Sequence, residues 1–213
     1  NCHEIKVLYG MLCRYAMSLD IISQDYSKFI KLPQTEKTEK RVFTRAEIER
    51  IDVHAKNGNR IAMAIMILIY SGMRISELLK LRRDNVYISE RYMIGGIKSE
   101  AGKDRIIPIH SRIIDYVKHF YDDNARTLYA DEYGSQIKYK TSRDDFDEFL
   151  ISIGITGMTP HCARHTHATL EQEAGIPPED MIKIMGHSDY KTTTKTYIHQ
   201  SVEKLRNSIE KIA

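Results

Sequence analysis

The sequence predicts a mainly α-helical protein carrying one small three-stranded antiparallel β-sheet. Most of the chain runs in stretches whose apolar residues recur at helical spacing between recognisable caps. Between residues 85 and 109 the period changes to that of short strands. Size supplies the third observation: 213 residues with 42% hydrophobic content can bury one full-sized core. Usual domain sizes then suggest a main domain of about 170 residues with a smaller piece attached.

Taken in order, residues 5–19 read as a helix with Val7, Leu8, Met11, Leu12, Tyr15 and Leu19 along one side. One helix cannot bury that stripe alone, so it either packs on the main domain or is the tail of another. Residues 28–45 are polar, with Pro33 and six basic residues, Lys28, Lys31, Lys37, Lys40, Arg41 and Arg45, against Glu36 and Glu39. This is a solvated linker or one that crosses DNA phosphates, and both readings put a domain boundary near residue 41.

Thr44-Arg-Ala-Glu47 is a capping box that opens a helix to about Lys56. Asn57-Gly58-Asn59 breaks it, and residues 60–71 form a second, mostly buried helix. Gly72 interrupts that helix before a third, residues 74–81, which carries Arg74 in its first turn and Glu77 one turn on. Residues 86–88, 92–97 and 105–109 read as strands, with a turn over residues 98–103.

An amphipathic helix follows over residues 110–121, then a polar, less regular segment to residue 140. Thr141 or Ser142 caps a helix through Ile151 whose apolar side is Phe146, Phe149 and Leu150, and Gly154 ends it. Thr159 is a good N-cap and Pro160 suits the first helical position, so another helix begins with His161 in its first turn. Pro177 introduces a helix over residues 179–185, which Gly186 ends, leaving His187 in a loop. Residues 202–212 form a last amphipathic helix with the stripe Val202, Leu205, Ile209 and Ile212.

Several classes are disfavoured by composition. A formal charge of only +3 does not by itself predict nucleic-acid binding, so any such charge must be concentrated on one face. The three cysteines, Cys2, Cys13 and Cys162, form no Cys-x-x-Cys pair and point to a reducing, intracellular setting without a disulfide framework. The most apolar run, residues 61–70, falls short of the roughly twenty needed to span a bilayer. No signal peptide is visible, although the chain starts at Asn1 and reads as a fragment.

The chemistry-bearing residues gather late in the chain. His161, Arg164 and His165 share a helix face that starts at the positive end of a dipole, where an anion is favoured. His187 follows the next helix, and Tyr197 comes ten residues later. Such a cluster suits a phosphate attacked by a phenol. Arginine guanidiniums stay charged and match phosphate geometry, whereas a free phenol is ionised only about once in a thousand at pH 7 and needs help. His161-Cys162-x-x-His165-x-His167 encloses Arg164 and lacks zinc spacing, so no metal site is expected. Cys162 reads as core, and His165 and His167 as packing or supporting groups.

In this order, His161-x-x-Arg164, Gly186-His187 and Tyr197 in its Tyr-x-His setting, with Arg74-x-x-Glu77-Leu upstream, resemble the tyrosine recombinases, or phage integrase family. The motifs span residues 41–200; residues 1–30 match only by position in the architecture. The resemblance implies a tyrosine recombinase catalytic-domain fold over residues 42–213. Residues 1–30 would be the C-terminal part of a helical core-binding DNA domain, and residues 31–41 a basic interdomain linker.

The implied catalytic set is Arg74, Lys98, His161, Arg164, His187 and Tyr197, with Lys103 the alternative to Lys98 on the hairpin. Lys31, Lys37, Lys40, Arg41 and Lys103 would contact DNA. Attack by Tyr197 would give a 3′-phosphotyrosyl link and a free 5′ hydroxyl, with neither ATP nor a metal. The implied activity is site-specific recombination, most like that of integrases from phages and conjugative transposons. Double-stranded recombination sites are the expected partner, with accessory DNA-bending or excision proteins, and no membrane. The C-terminal helix would dock on a neighbouring protomer, and the setting would be bacterial cytoplasm at the nucleoid. A DNA-binding protein of this fold that has lost chemistry and a type IB topoisomerase-like nicking enzyme are the alternatives. The complete catalytic set argues against loss.

Overall fold

The computed structural model of the chain describes residues 2–33, 41–96, 104–122, 125–186 and 198–212. The chain divides into two compact units, Asn1–Glu39 and Lys40–Ala213. In the smaller one, helix α1 (Cys2–Ser18) buries Gly10 and Cys13 and leaves Leu8, Leu12 and Tyr15 exposed. A 3₁₀ turn, Tyr26–Phe29, folds back towards it, capped by Asp25, whose carboxylate accepts from Ser27 N at 3.0 Å. Gly10 leaves room for that turn, since a Cβ there would sit 3.0 Å from Ser27 Oγ.

The larger unit begins as its capping box dictates. Thr44 Oγ1 accepts from Glu47 N at 3.2 Å, Glu47 Oε2 accepts from Thr44 N at 2.8 Å, and α2 (Arg45–Lys56) follows. Helix α3 (Arg60–Ser71) starts at Asn59, whose side chain accepts from Ala62 N, and is buried from Ala62 to Ser71. It is the hub of the core, packed between α2 and α7 (Pro160–Glu173). Its burial on all sides matches a sequence that is apolar all round.

After Gly72, α4 (Ile75–Leu78) is a single turn with Arg74 at its N-cap, shorter than the helix expected over residues 74–81. The cause is tertiary: Leu81 O accepts from Leu128 N at 2.8 Å, and Arg83 N donates to Arg126 O at 3.1 Å. That backbone is therefore taken from the helix by a distant segment.

Strands β1 (Val86–Tyr87), β2 (Tyr92–Gly95) and β3 (Arg105–Pro108) form an antiparallel sheet in that order. The register pairs Met93 with Ile107 and Gly95 with Arg105. Met93 and Ile107 enter the core. A 3₁₀ turn, Ser111–Ile113, precedes α5 (Ile114–Asp122), so the helix expected over residues 110–121 arrives in two pieces.

Helix α6 (Tyr139–Ser152) begins ahead of the expected caps, with Lys138 at the N-cap and Ser142 buried inside the helix. Two further helices, α8 (Pro178–Met185) and α9 (Ile198–Ile209), complete the unit. The C-terminal stripe lies against its own unit, with Leu205, Ile209 and Ile212 all buried. Ser208 Oγ donates to Asp180 Oδ2 at 3.2 Å, and Lys204 Nζ lies 3.0 Å from Asp180 Oδ1, pinning α9 to α8. Among the described residues no helix is long and apolar enough to cross a membrane.

Gly72 is the tightest point of this packing. Its φ of +64° closes α3 in the left-handed region. A Cβ there would lie 2.4 Å from His167 Cδ2 and 2.9 Å from Met185 Sδ. Gly58 also has a positive φ, +90°, but a Cβ would meet nothing within 4 Å. Gly58→Ala should therefore cost only the left-handed backbone term of about 1–2 kcal/mol. Gly72→Ala should add an overpacking term of about 1–3 kcal/mol to that same cost. Urea unfolding of the two variants measures the difference, and equal losses would contradict the close approach of α7 and α8 to Gly72.

Candidate active site

Arg74 stands where α3 has ended and α4 begins, and Glu77 holds it twice. Arg74 N donates to Glu77 Oε2 at 2.9 Å and Nη1 donates to Oε1 at 3.0 Å. The Glu77 side chain is 3% exposed and that of Arg74 29%, so the carboxylate is inside and the guanidinium reaches the surface. Arg105, at the start of β3, grips the same carboxylate as a fork, Nη1 to Oε1 at 2.9 Å and Nη2 to Oε2 at 3.0 Å. Its Nε donates to Ile184 O in α8 at 2.9 Å. Burial pushes the Glu77 carboxyl up, but the hydrogen bonds and charge of Arg105, with those of Arg74, outweigh it and hold the group below its ordinary range.

Arg164 comes to the same region from one turn into α7. Its Nη1 donates to Gly72 O and its Nη2 to Met185 O, the carbonyls at the ends of α3 and α8. Helix C-termini present unpaired carbonyls and partial negative charge, so a buried guanidinium suits both needs. Each terminal nitrogen keeps a second N–H. Burial lowers this guanidinium to about 10, helped by the charges of Arg74 and Arg105 and opposed by Glu77 and Glu171. It remains protonated at neutral pH. Among the described residues named in this balance, three guanidiniums, Arg74, Arg105 and Arg164, stand against the carboxylates of Glu77 and Glu171, an excess of positive charge that an anion would balance.

Helix α7 opens as the sequence predicts, with Thr159 at the N-cap and Pro160 in the first turn. Cys162 is buried with its sulfur 3.3 Å from Thr159 N, a core and capping role. His161 is exposed in that turn, while His165 is half-buried. His167 is fully buried, its Nδ1 donating to Ile69 O at 2.8 Å and its Nε2 3.2 Å from Glu171 Oε1, which makes it a packing group between α3 and α7. Thr166 Oγ1 donates to Cys162 O and accepts from Phe43 N, each at 2.8 Å, tying α7 to the start of the unit.

Of the expected catalytic residues, Arg74 and Arg164 are thus gathered around Gly72, and His161 lies one turn before Arg164. Lys98, His187 and Tyr197 fall outside the described residues, as do Lys37, Lys40 and Lys103. Gly186 ends α8 with φ +64°, as the sequence predicts. Among the residues expected on DNA, Lys31 is exposed, and Arg41 is 45% exposed with Nη2 3.0 Å from Glu47 Oε1. The described residues contain no cluster of His, Cys, Asp or Glu able to hold a metal ion.

Arg105 was not singled out by the sequence reading, which took it only as a strand start. A signal existed: strand alternation puts it on the same side as Ile107, and an arginine facing a core needs a counter-charge.

Against known proteins, the phage integrase family pattern matches residues 41–204. The tyrosine recombinase XerC of Chlamydia pneumoniae is 26% identical over 202 residues, covering 89% of this chain and 64% of that protein. The chain therefore spans less than two thirds of that relative's length. XerA of Thermococcus kodakarensis is 27% identical over 194 residues, covering 88% of this chain and 68% of that one.

Among solved structures, the Tn1549 transposon integrase in complex with a circular intermediate DNA superposes with a TM-score of 0.77 at 20% identity, over 95% of this chain and 78% of that one. A λ integrase dimer bound to a COC′ core site gives 0.69 at 15% identity, over 90% and 75%. The larger unit has the tyrosine recombinase catalytic-domain fold, mainly helical with its three-stranded sheet. A match that runs from the start of this unit into α9 shows that the chain belongs to the phage integrase family.

Proposed function

We propose that this chain is a site-specific DNA recombinase that cuts and rejoins strands through a 3′-phosphotyrosyl intermediate. The observation that carries the proposal is the convergence of Arg74 and Arg164 on Gly72, with positive charge in excess and Arg74 open to solvent. Two forked cations are suited to the non-bridging oxygens of one phosphodiester.

In this mechanism the Tyr197 oxygen bonds to phosphorus as the bond to the 5′ oxygen breaks. The phenol proton passes to His161 or His187, and Lys98 protonates the departing oxygen. A 5′ hydroxyl from another strand then attacks the phosphotyrosine and reverses each transfer. The phosphodiester energy is retained, so the chemistry calls for neither ATP nor metal.

Residues 1–30, as the C-terminal part of a helical core-binding DNA domain, and the basic interdomain linker of residues 31–41, with Lys31, Lys37, Lys40 and Arg41, would contact the duplex along with the catalytic domain of residues 42–213, and Lys103 would touch phosphate. Tn1549 integrase and λ integrase are seen on DNA, the latter as a dimer, and we carry double-stranded recombination sites and assembly of several copies over to this chain. Self-association through α9 would require that helix to leave the berth it fills in its own unit. Accessory DNA-bending or excision proteins and a cytoplasmic, nucleoid-bound setting complete the proposal.

Duplex affinity should fall by about three decades or more between 50 and 200 mM salt if six or more phosphates are contacted, as titration at several salt concentrations will read. A flat response would remove the DNA clamp. Tyr197→Phe should abolish the covalent protein–DNA adduct on every substrate while duplex binding persists; an adduct on that variant would assign the nucleophile elsewhere. Relaxation of supercoiled DNA by an isolated monomer, without pairing of two sites, would favour the topoisomerase-like alternative.

Lys98→Ala should slow cleavage by about 10²–10⁴, the range for a positioned acid. A substrate with sulfur at the bridging 5′ position leaves as a thiolate and should restore most of that rate. Arg164→Ala should lose a factor of about 10²–10³ or more and should not be restored by sulfur, because its loss is at the non-bridging oxygens. Rescue of Lys103→Ala in place of Lys98→Ala would transfer the acid role to Lys103.

A further inference from the structure

We propose that Arg105 is a positioning residue for strand cleavage: it supplies the buried positive charge that balances Glu77, leaving the charge of Arg74 for a phosphate. The inference rests on the recombinase reading above. The Arg105 side chain is only 4% exposed, so it does not itself face a ligand. Its action must pass through the groups it holds.

Those groups are specific. Each Glu77 oxygen takes one bond from Arg74 and one from Arg105: Oε1 from the two Nη1 atoms, and Oε2 from Arg74 N and Arg105 Nη2. The carboxylate plane is thus set by a fork that is buried, and Arg74 is set by the carboxylate. Without Arg105, Arg74 would be the one guanidinium among the described residues still hydrogen-bonded to Glu77 in a site of low dielectric, and its solvent-facing charge would be drawn into neutralising the carboxylate.

The third bond, from Nε to Ile184 O, reaches the helix whose next carbonyl, Met185 O, is held by Arg164. One side chain therefore joins β3, α4 and α8, the elements on which Arg74 and the end of α8 depend. A lysine keeps the charge but cannot reproduce a planar fork with a further N–H on a third acceptor.

The test uses the full chain and reads single-turnover adduct formation, duplex affinity and thermal stability for Arg105→Lys alone and combined with Arg74→Ala. Arg105→Lys is expected to bind duplex within about threefold of the parent and to cleave about 10²-fold more slowly, the scale of a misplaced group. In the Arg74→Ala background the same change should cost less than about threefold, because it acts through a side chain no longer there. Fully multiplicative losses would overturn the inference.

Arg105→Met, which leaves Glu77 to draw on Arg74 for its counter-charge, provides a second arm. Adding Glu77→Gln to it removes the buried charge altogether and should regain at least about tenfold in cleavage, since neutral replacement of a buried pair is tolerated better than removal of one partner. No regain would also overturn it. Adduct formation by the parent chain is the control: if it is absent, the recombinase reading fails and takes this inference with it. If it is present and the two tests fail, only the role of Arg105 is lost.

Discussion

Two helix ends that need donors, and one buried guanidinium that supplies them, set the geometry on which the rest of the site depends. Arg164 bonds carbonyls at the ends of α3 and α8, the ends that Gly72 and Gly186 close, and so ties the two together. Gly72 makes the arrangement feasible, because its left-handed turn and missing side chain let His167 and Met185 close against the chain. The two residues that follow bring Arg74 out to the surface, where Glu77 and Arg105 hold it. A packing constraint thereby becomes an electrostatic one: the glycine with least room for a side chain also lends its carbonyl to the buried Arg164 guanidinium.

Much of the fold was legible because its punctuation is local. Thr44 with Glu47, Asn59, and Gly72 delimit α2 and α3 where the sequence puts them, and Thr159, Pro160 and Gly186 do the same for α7 and the end of α8. The failures share a different cause. Helix α4 is cut to one turn because residues 81 and 83 pair with residues 128 and 126, and no local signal in residues 74–81 announces that partner. Helix α6 starts before Thr141 because Lys138 serves as its N-cap with no side-chain bond, a start that capping preferences do not mark.

The site divides in the same way. Arg74, His161 and Arg164 stand out by residue type and order, and the fold brings Arg74 and Arg164 to the two sides of the turn at Gly72. The partnership of Arg105 with Glu77 joins residues 28 apart and depends on the register of β2 with β3, so it emerges only once the sheet is folded. Net charge was a poor guide for a related reason. A total of +3 averages over the whole chain, whereas the cluster around Gly72 owes its excess to which carboxylates are near it.

The clasp between α8 and α9 is matched by a second one just past the end of α9. Asp180 holds Lys204 and Ser208, while Glu210 reaches back to Arg91 and Ser111 Oγ. Leu205, Ile209 and Ile212 are buried alongside these polar anchors, so lifting the helix off would break the anchors and uncover three apolar side chains in one step. Such coupling makes residues 204–212 an all-or-none latch on the larger unit, released as one piece or not at all.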